Sequence, residues 1–154
     1  MPWNCSALHA HNFRWACLSF ALLALLLPSC GDGRKKCYPV SGKILVDGKP
    51  ALDCFVYLYP ANPADGEGKD RTIPLAMTDE TGAFSLSTYD TNDGAPTGEY
   101  VVTFTWRERS GLLKNQYEGK DRLNGKYASP DKSTIRLTIE KKPTDLPPYE
   151  LTTK

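Results

Sequence analysis

Hydrophobic and polar residues alternate in short runs along most of the chain, a pattern that predicts β-strands. The clearest run covers 99–107, where Tyr100, Val102, Phe104 and Trp106 share one face of a strand. Six further runs have strand character through alternation or through their β-branched and aromatic residues. The predicted strands are 38–46, 54–59, 73–78, 83–89, 99–107, 134–140 and 149–152.

Turn signals separate these runs. The Asp47-Gly48 pair predicts a two-residue hairpin, and Gly82 ends a turn that suits a bulged hairpin. Residues 61–72 and 90–98 are loops by composition. We find no convincing amphipathic helix. About seven short strands with such turns predict an all-β, Ig-like β-sandwich of two sheets with Greek-key-like connections.

The second predicted strand, 54–59, carries an aromatic residue at every other position. If its remaining positions face the core, Phe55, Tyr57 and Tyr59 form a row on the outer side. An exposed row of aromatic rings can stack on sugars or pack on a protein partner, so this row is the candidate binding face. The alternative is that a neighbouring strand or the loop 108–133 covers the row.

The segment 108–133 shows no clear strand, and loops of this length are uncommon inside compact domains. Apolar residues, among them Leu112, Leu123 and Tyr127, recur between its charged residues. One interpretation is a loop folded back over an open face of the sandwich. The other is a loop that binds a partner protein.

The N-terminal region reads as an export signal. Residues 15–27 are uncharged, which fits the hydrophobic core of a signal peptide and is short for a membrane span. The LPSC motif that ends at Cys30 resembles the lipobox of bacterial lipoproteins, in which the cysteine is acylated and becomes the new N-terminus. The alternative is ordinary cleavage that leaves Cys30 a plain thiol. The expected organisation is a signal peptide at 1–29, a tether at 30–37 and a single β-sandwich domain at 38–154.

Cleavage before Cys30 would remove His9 and His11, the two histidines of the chain. Without histidine the mature protein lacks the usual general base, the nucleophile pairs that depend on it and the commonest transition-metal ligand. Arg14 would also be lost, so the 19 basic residues of the chain would fall to match its 18 acidic residues. A neutral body gives no reason to expect nucleic-acid binding. We therefore expect no enzyme activity, no metal site and no cofactor.

Lipidation of Cys30 would leave two thiols, Cys37 and Cys54, in an exported and oxidising setting. This count makes a Cys37–Cys54 disulfide a candidate. Strand parity argues against it, since Cys54 shares the inward face of its strand and Cys37 has outward parity. The alternative is one buried and one exposed thiol.

The acidic turn Asp90-Thr91-Asn92-Asp93-Gly94 resembles a calcium loop. Its glycine follows the first aspartate by one residue fewer than in an EF-hand loop, and no glutamate occupies the twelfth position. Asp and Asn more often stabilise a turn by bonding their own backbone. We expect such a turn here.

Three segments carry a family resemblance: YPVSGKILVDGKPALDCFVYLYP, TDETGAFSLSTY and APTGEYVVTF. They resemble successive strands and turns of transthyretin-like (prealbumin-like) and carboxypeptidase-regulatory-like β-sandwich domains. The whole layout resembles small secreted lipoproteins of planctomycete bacteria. This wider resemblance also rests on the Cys30 motif, DRLNGKYASPDKS and the closing LPPYELT. The resemblance implies the sandwich fold and an exported location, and it implies no biochemical activity.

The sequence thus predicts a non-enzymatic lipoprotein of the bacterial envelope, in the periplasm or at the cell surface. The bilayer would hold it through acylated Cys30, and it would act as a structural, adhesive or binding module for an envelope protein or glycan. One alternative is an accessory subunit that docks on a larger envelope protein through loop 108–133. Another is a small hydrolase that uses carboxylates alone.

Overall fold

The computed structural model describes residues 33–62, 72–110, 116–117 and 119–154, and every regular element within these ranges is a β-strand. This confirms the predicted all-β fold. The strands are β1 (Cys37–Tyr38), β2 (Val40–Val46), β3 (Lys49–Pro50), β4 (Cys54–Pro60), β5 (Leu75–Met77), β6 (Ala83–Ser85), β7 (Ala95–Pro96), β8 (Gly98–Trp106), β9 (Arg109–Ser110), β10 (Gln116–Tyr117), β11 (Arg136–Ile139), β12 (Thr144–Asp145) and β13 (Tyr149–Leu151).

Two sheets form the sandwich. The first is antiparallel and has the strand order β11-β8-β4-β5. The second is built around β2, with β12 and β13 parallel to it on one side and β6 and β3 antiparallel on the other. Two short pairs, β1 with β7 and β9 with β10, complete the strand pairing. Residues 33–154 form one compact unit.

Alternating side chains of both sheets form one hydrophobic core. Ile44 of β2, Val56 and Leu58 of β4 and Phe104 of β8 are at most 1% exposed, as the predicted strand parity requires. Burial of such side chains contributes about 1.5–3 kcal/mol each, which makes this core the main stabilising element of the fold. Because Val56 and Leu58 face the core, the alternating residues Phe55, Tyr57 and Tyr59 of β4 face outward.

The two sheets are joined along one side. Leu75 of β5 and Ser87 exchange two backbone hydrogen bonds of 3.0 and 2.9 Å. Leu86, the residue before Ser87, donates its N–H to the carbonyl of Val40 in the second sheet. The hydrogen bonding thus continues from one sheet to the other at this edge.

The segment 119–128 is packed against the end of the sandwich. The Asp121 carboxylate accepts hydrogen bonds from the backbone N–H groups of Trp106, Leu123 and Gly125, at 2.8, 3.1 and 3.0 Å. Leu123 is fully buried in the core, and the carbonyl of Tyr127 accepts the N–H of Phe104. This part of the predicted loop 108–133 is therefore folded back on the domain.

All seven predicted strands are present. The predicted strand 38–46 is divided into β1 and β2, and β5, β6, β11 and β13 are shorter than predicted. By contrast, β4 is one residue longer, and β8 is shifted by one residue. The prediction of continuous loops was wrong at two places, because β7 lies within 90–98 and β9 and β10 lie within 108–133. These strands are two residues long, too short to show an alternating pattern. The signal peptide and Cys30 lie outside the described residues, as do 63–71, 111–115 and 118.

The candidate Cys37–Cys54 disulfide is not formed, and both thiols are free of disulfide bonds. Cys37 pairs with Pro96, just before β8 begins, whereas Cys54 pairs with Trp106 at the other end of β8. A strand rises about 3.3 Å per residue, so the length of β8 separates the two cysteines far beyond the reach of a disulfide. The alternative of one buried and one partly exposed thiol describes the structure.

Candidate functional site

The aromatic row lies on the side of β4 that faces away from the core. Cross-strand pairing places Phe55 beside Thr105, Tyr57 beside Thr103, and Tyr59 beside Val101 of β8. On its other side β4 pairs with β5, which adds two outward side chains. We call the outward positions of β4, together with the residues beside them on β5 and β8, the outer face: Phe55, Tyr57, Tyr59, Leu75, Met77, Val101, Thr103 and Thr105.

The three aromatic rings are half-buried and lie in sequence along β4. The ring centroids of Phe55 and Tyr57 are 6.1 Å apart with planes 14° apart, and those of Tyr57 and Tyr59 are 6.5 Å apart with planes at 38°. Leu75 and Met77 beside them are 43% and 42% exposed. Exposed apolar side chains next to a row of rings form a patch of the kind that binds ligands or partners.

Tyr117 of β10 packs on one end of the row. Its ring meets Phe55 edge-on at 4.8 Å, and its hydroxyl donates to the Met77 sulfur at 3.1 Å. Loop 108–133 therefore covers the row at Phe55, as one of the two alternatives predicted. Tyr57 and Tyr59 keep part of their surface exposed.

The floor of the outer face contains a buried hydroxyl. Thr103 is 1% exposed, and its Oγ1 has no hydrogen-bond partner among the described residues. A buried hydroxyl without a partner costs on the order of 1–3 kcal/mol. Such groups are rare in native proteins and call for an explanation, such as a water or ligand that completes the hydrogen bond.

A second concave surface lies at the end of the sandwich, where sequence reasoning predicted nothing. It is a cleft of about 780 Å³ whose lining includes Lys49, Leu52, Asp53, Trp106 and Arg122. The Arg122 guanidinium stacks on the Trp106 ring at 3.6 Å, and the indole N–H donates to the Leu52 carbonyl at 2.8 Å. The stacking joins residues sixteen positions apart across a loop, and no periodic pattern signals such a contact.

In the acidic turn at 90–94, the Asp93 carboxylate forms hydrogen bonds with the backbone of the chain. Asp93 accepts the backbone N–H groups of Thr88 and Tyr89 at 2.7 and 3.1 Å. Burial acts to raise the pKa of Asp93, but these hydrogen bonds outweigh it and hold the pKa below its ordinary value. The residue stabilises a turn, as predicted.

Across the described ranges no group of three or more His, Cys, Asp or Glu residues is placed to hold a metal ion.

The two cysteines differ in burial. Burial raises the pKa of the Cys54 thiol to about 12, with a smaller contribution from the Asp121 carboxylate. Its thiolate is therefore scarce at neutral pH, and the residue is chemically inert. Cys37 is partly exposed and lies at the start of the domain in β1.

No helix in the described part of the chain is long and apolar enough to span a membrane. Cys30 and the segment before it lie outside that part, so the structure describes neither the candidate lipid anchor nor its signal peptide.

No family model matches the sequence, and no curated protein matches it either. A 9R-lipoxygenase structure from Cyanothece PCC8801 aligns with 88% of this chain and 20% of its own, at 14% identity and a TM-score of 0.39. A structure of a DUF3823 family protein from Parabacteroides merdae aligns with 77% of this chain and 46% of its own, at 14% identity and a TM-score of 0.34. The chain therefore spans less than half the length of either structure.

Proposed function

We propose that the protein is an exported, membrane-anchored binding module that holds a component of the bacterial envelope on its outer face. The observation that carries the proposal is the patch formed by the half-buried rings of β4 and the exposed side chains of Leu75 and Met77. A contiguous apolar patch on a protein surface is a common mark of a binding site.

A binding role suits the chemistry of the described residues better than catalysis. The Cys54 thiol is buried and has a raised pKa. The Asp79, Asp93 and Asp121 carboxylates each accept several backbone N–H groups and act as turn anchors. A hydrolase that used carboxylates alone would need two acids facing each other across a cleft. These three carboxylates are committed to the fold instead.

The proposed location rests on the sequence. The uncharged run 15–27 and the LPSC motif ending at Cys30 support export followed by acylation. The resemblance to transthyretin-like domains and to secreted planctomycete lipoproteins supports the same location. The domain begins at β1, a few residues after Cys30, so an acylated Cys30 would hold the sandwich close to the membrane surface.

Substitution of Leu75 by serine tests the binding face. Leu52, in the end cleft, is equally exposed at 43%, so Leu52→Ser is a matched control. In the native host, chemical cross-linking of the wild-type protein should yield a specific adduct. We expect Leu75→Ser to weaken this adduct and Leu52→Ser to preserve it. Loss of the adduct in Leu52→Ser alone would assign binding to the end cleft and overturn the proposed face.

The membrane anchor has a separate test. Cys30→Ala should abolish incorporation of labelled fatty acid and release the protein from the membrane fraction. Cys37→Ala is the matched control, because Cys37 lies in β1 within the folded domain. A wild-type protein whose intact mass lacks the acyl increment would refute the anchor and leave the binding face to be judged on its own test.

A further inference from the structure

We infer that the ligand of the outer face is a neutral glycan chain that lies along β4, with the Thr103 hydroxyl as a buried hydrogen-bonding partner. This inference deepens the proposed function and depends on it. It specifies the class of ligand, the direction in which the ligand lies and a residue that the sequence did not nominate.

The charge of the outer face favours a neutral ligand. None of the eight residues of the outer face is acidic or basic. The nearest charged residues on the same side are Arg136, beside Val101, and Glu99, at the start of β8. A charged polymer binds surfaces that carry the opposite charge, which this face does not supply.

The hydrogen-bonding groups of the face suit a sugar. Tyr57, Tyr59, Thr103 and Thr105 place four hydroxyls among the apolar side chains. A sugar has apolar C–H faces that pack on aromatic rings and hydroxyls that both donate and accept. Apolar surface mixed with neutral hydroxyls therefore matches both parts of a carbohydrate.

The unpartnered Thr103 hydroxyl is an independent indication of a polar ligand. It lies directly across from Tyr57, the central ring of the row, and is shielded from solvent in the described structure. A ligand hydroxyl that displaces the Tyr57 side chain slightly would reach it and satisfy the missing hydrogen bond. A purely apolar protein surface would leave this hydroxyl unpartnered, at the same cost as in the free protein.

The length of the row favours a chain of sugars over a single sugar. The rings follow each other at 6.1 and 6.5 Å along β4, so the row extends beyond one pyranose ring. A linear oligosaccharide can contact all three rings at once, and the contributions of the separate contacts add. The expected ligand lies parallel to the strand.

The test is electrophoresis of the full chain, in mild detergent, through gels containing one polysaccharide each. Mannan, xyloglucan and a β-glucan are the neutral probes, and alginate is the anionic one. We expect at least one neutral probe to retard the protein and alginate to leave it unretarded. We expect Tyr57→Ala to weaken retardation at least tenfold.

Thr103→Val separates a ligand contact from a structural role. Valine has the shape of threonine without the hydroxyl, so removal of the unpartnered group should keep or raise the free energy of unfolding. The affinity for the neutral probe should fall about five- to tenfold, the usual effect of one lost hydrogen bond. Thr138→Val, at an exposed position of β11 in the same sheet, should change neither quantity.

Two results would overturn the glycan inference: no retardation by any neutral probe, or unchanged affinity in Thr103→Val. If the glycan inference failed but cross-linking in the host yielded a protein adduct that Leu75→Ser abolishes, the proposed binding face would survive with a protein as its ligand. If Leu75→Ser matched the wild type in both the host and the gels, both proposals would fall.

Discussion

At Gly94 the backbone of the acidic turn lies directly against the backbone carbonyl of Tyr38. A Cβ at this position would overlap that carbonyl, and the φ angle of +91° is itself unfavourable for other residues. We expect Gly94→Ala to lower the free energy of unfolding by more than about 3 kcal/mol, because the backbone of the turn or of β1 must move. Urea unfolding followed by tryptophan fluorescence measures this.

Gly48 is the matched control for Gly94. Its φ of +77° is also left-handed, but a Cβ there would meet no atom within 4 Å. Gly48→Ala should therefore cost only the backbone strain of about 1 kcal/mol. Equal losses in the two variants would show that strain, and not the contact with Tyr38, determines the glycine at 94.

The Cys54 thiol makes stability depend on alkaline pH. Burial raises its pKa from 9.0 to about 12 in the folded protein. Below pH 9 the thiol is neutral in both the folded and the unfolded state, so stability is unaffected. Between pH 9 and 12 the unfolded state ionises first, and the free energy of unfolding falls by up to about 1.4 kcal/mol per pH unit.

Comparison with Cys54→Ala isolates this contribution. The variant loses packing and is less stable at every pH, but its curve should fall less steeply above pH 9. Tyr149, whose pKa is also raised by burial, ionises in both proteins and cancels in the difference. A difference between the two curves that stays constant from pH 8 to 11 would contradict a raised Cys54 pKa.

At the scale of the elements, the segment 119–128 has no regular secondary structure and still belongs to the core. The Asp121 carboxylate fixes the segment to the end of β8 by accepting the Trp106 N–H, and it holds the turn itself by accepting the N–H groups of Leu123 and Gly125. Leu123 fills a position in the core. The segment thus extends the sandwich where no strand continues. Because residues 119–128 are part of the folded domain, the whole of 108–133 does not act as a partner-binding loop.

We expect Leu123→Ala to destabilise the protein by about 2–5 kcal/mol, as truncation of a core leucine in a strand does. Leu58→Ala in β4 is the reference, because both side chains are almost completely buried. Lys120→Ala, at an exposed position three residues away, should have little effect. A loss below 1 kcal/mol for Leu123→Ala would mean that the segment only lies on the surface.

The elements that could be predicted are those with enough residues to display a period. Strands such as β8, with nine residues, show alternation in the sequence itself. The two-residue strands β7, β9 and β10 pair only with strands of the same length, β7 with β1 and β9 with β10. Two residues are too few to display an alternating pattern, so no local signal encodes them. The packing of Leu123 likewise depends on a turn fixed by Asp121, which strand periodicity cannot predict.

At the scale of the whole molecule, only the aromatic row of the candidate site followed from the sequence. Strand parity predicted the outward row of Phe55, Tyr57 and Tyr59. The row becomes a face only through neighbours from β5, β8 and β10, and their pairing is a property of the tertiary structure. The buried hydroxyl of Thr103 could not be foreseen, because its environment depends on which strand lies beside it.

The parallel pairing of β2 with β12 and β13 gives the domain a mechanical property. β2 is the first long strand and β13 is the last, so a pull on residues 33 and 154 draws neighbouring strands past each other. Their hydrogen bonds are loaded in shear and must break together, whereas an antiparallel pair would unzip bond by bond. In single-molecule pulling from these ends we expect one abrupt rupture, and a gradual peeling of β2 at low force would contradict it. A module built in this way can bear tension along its chain.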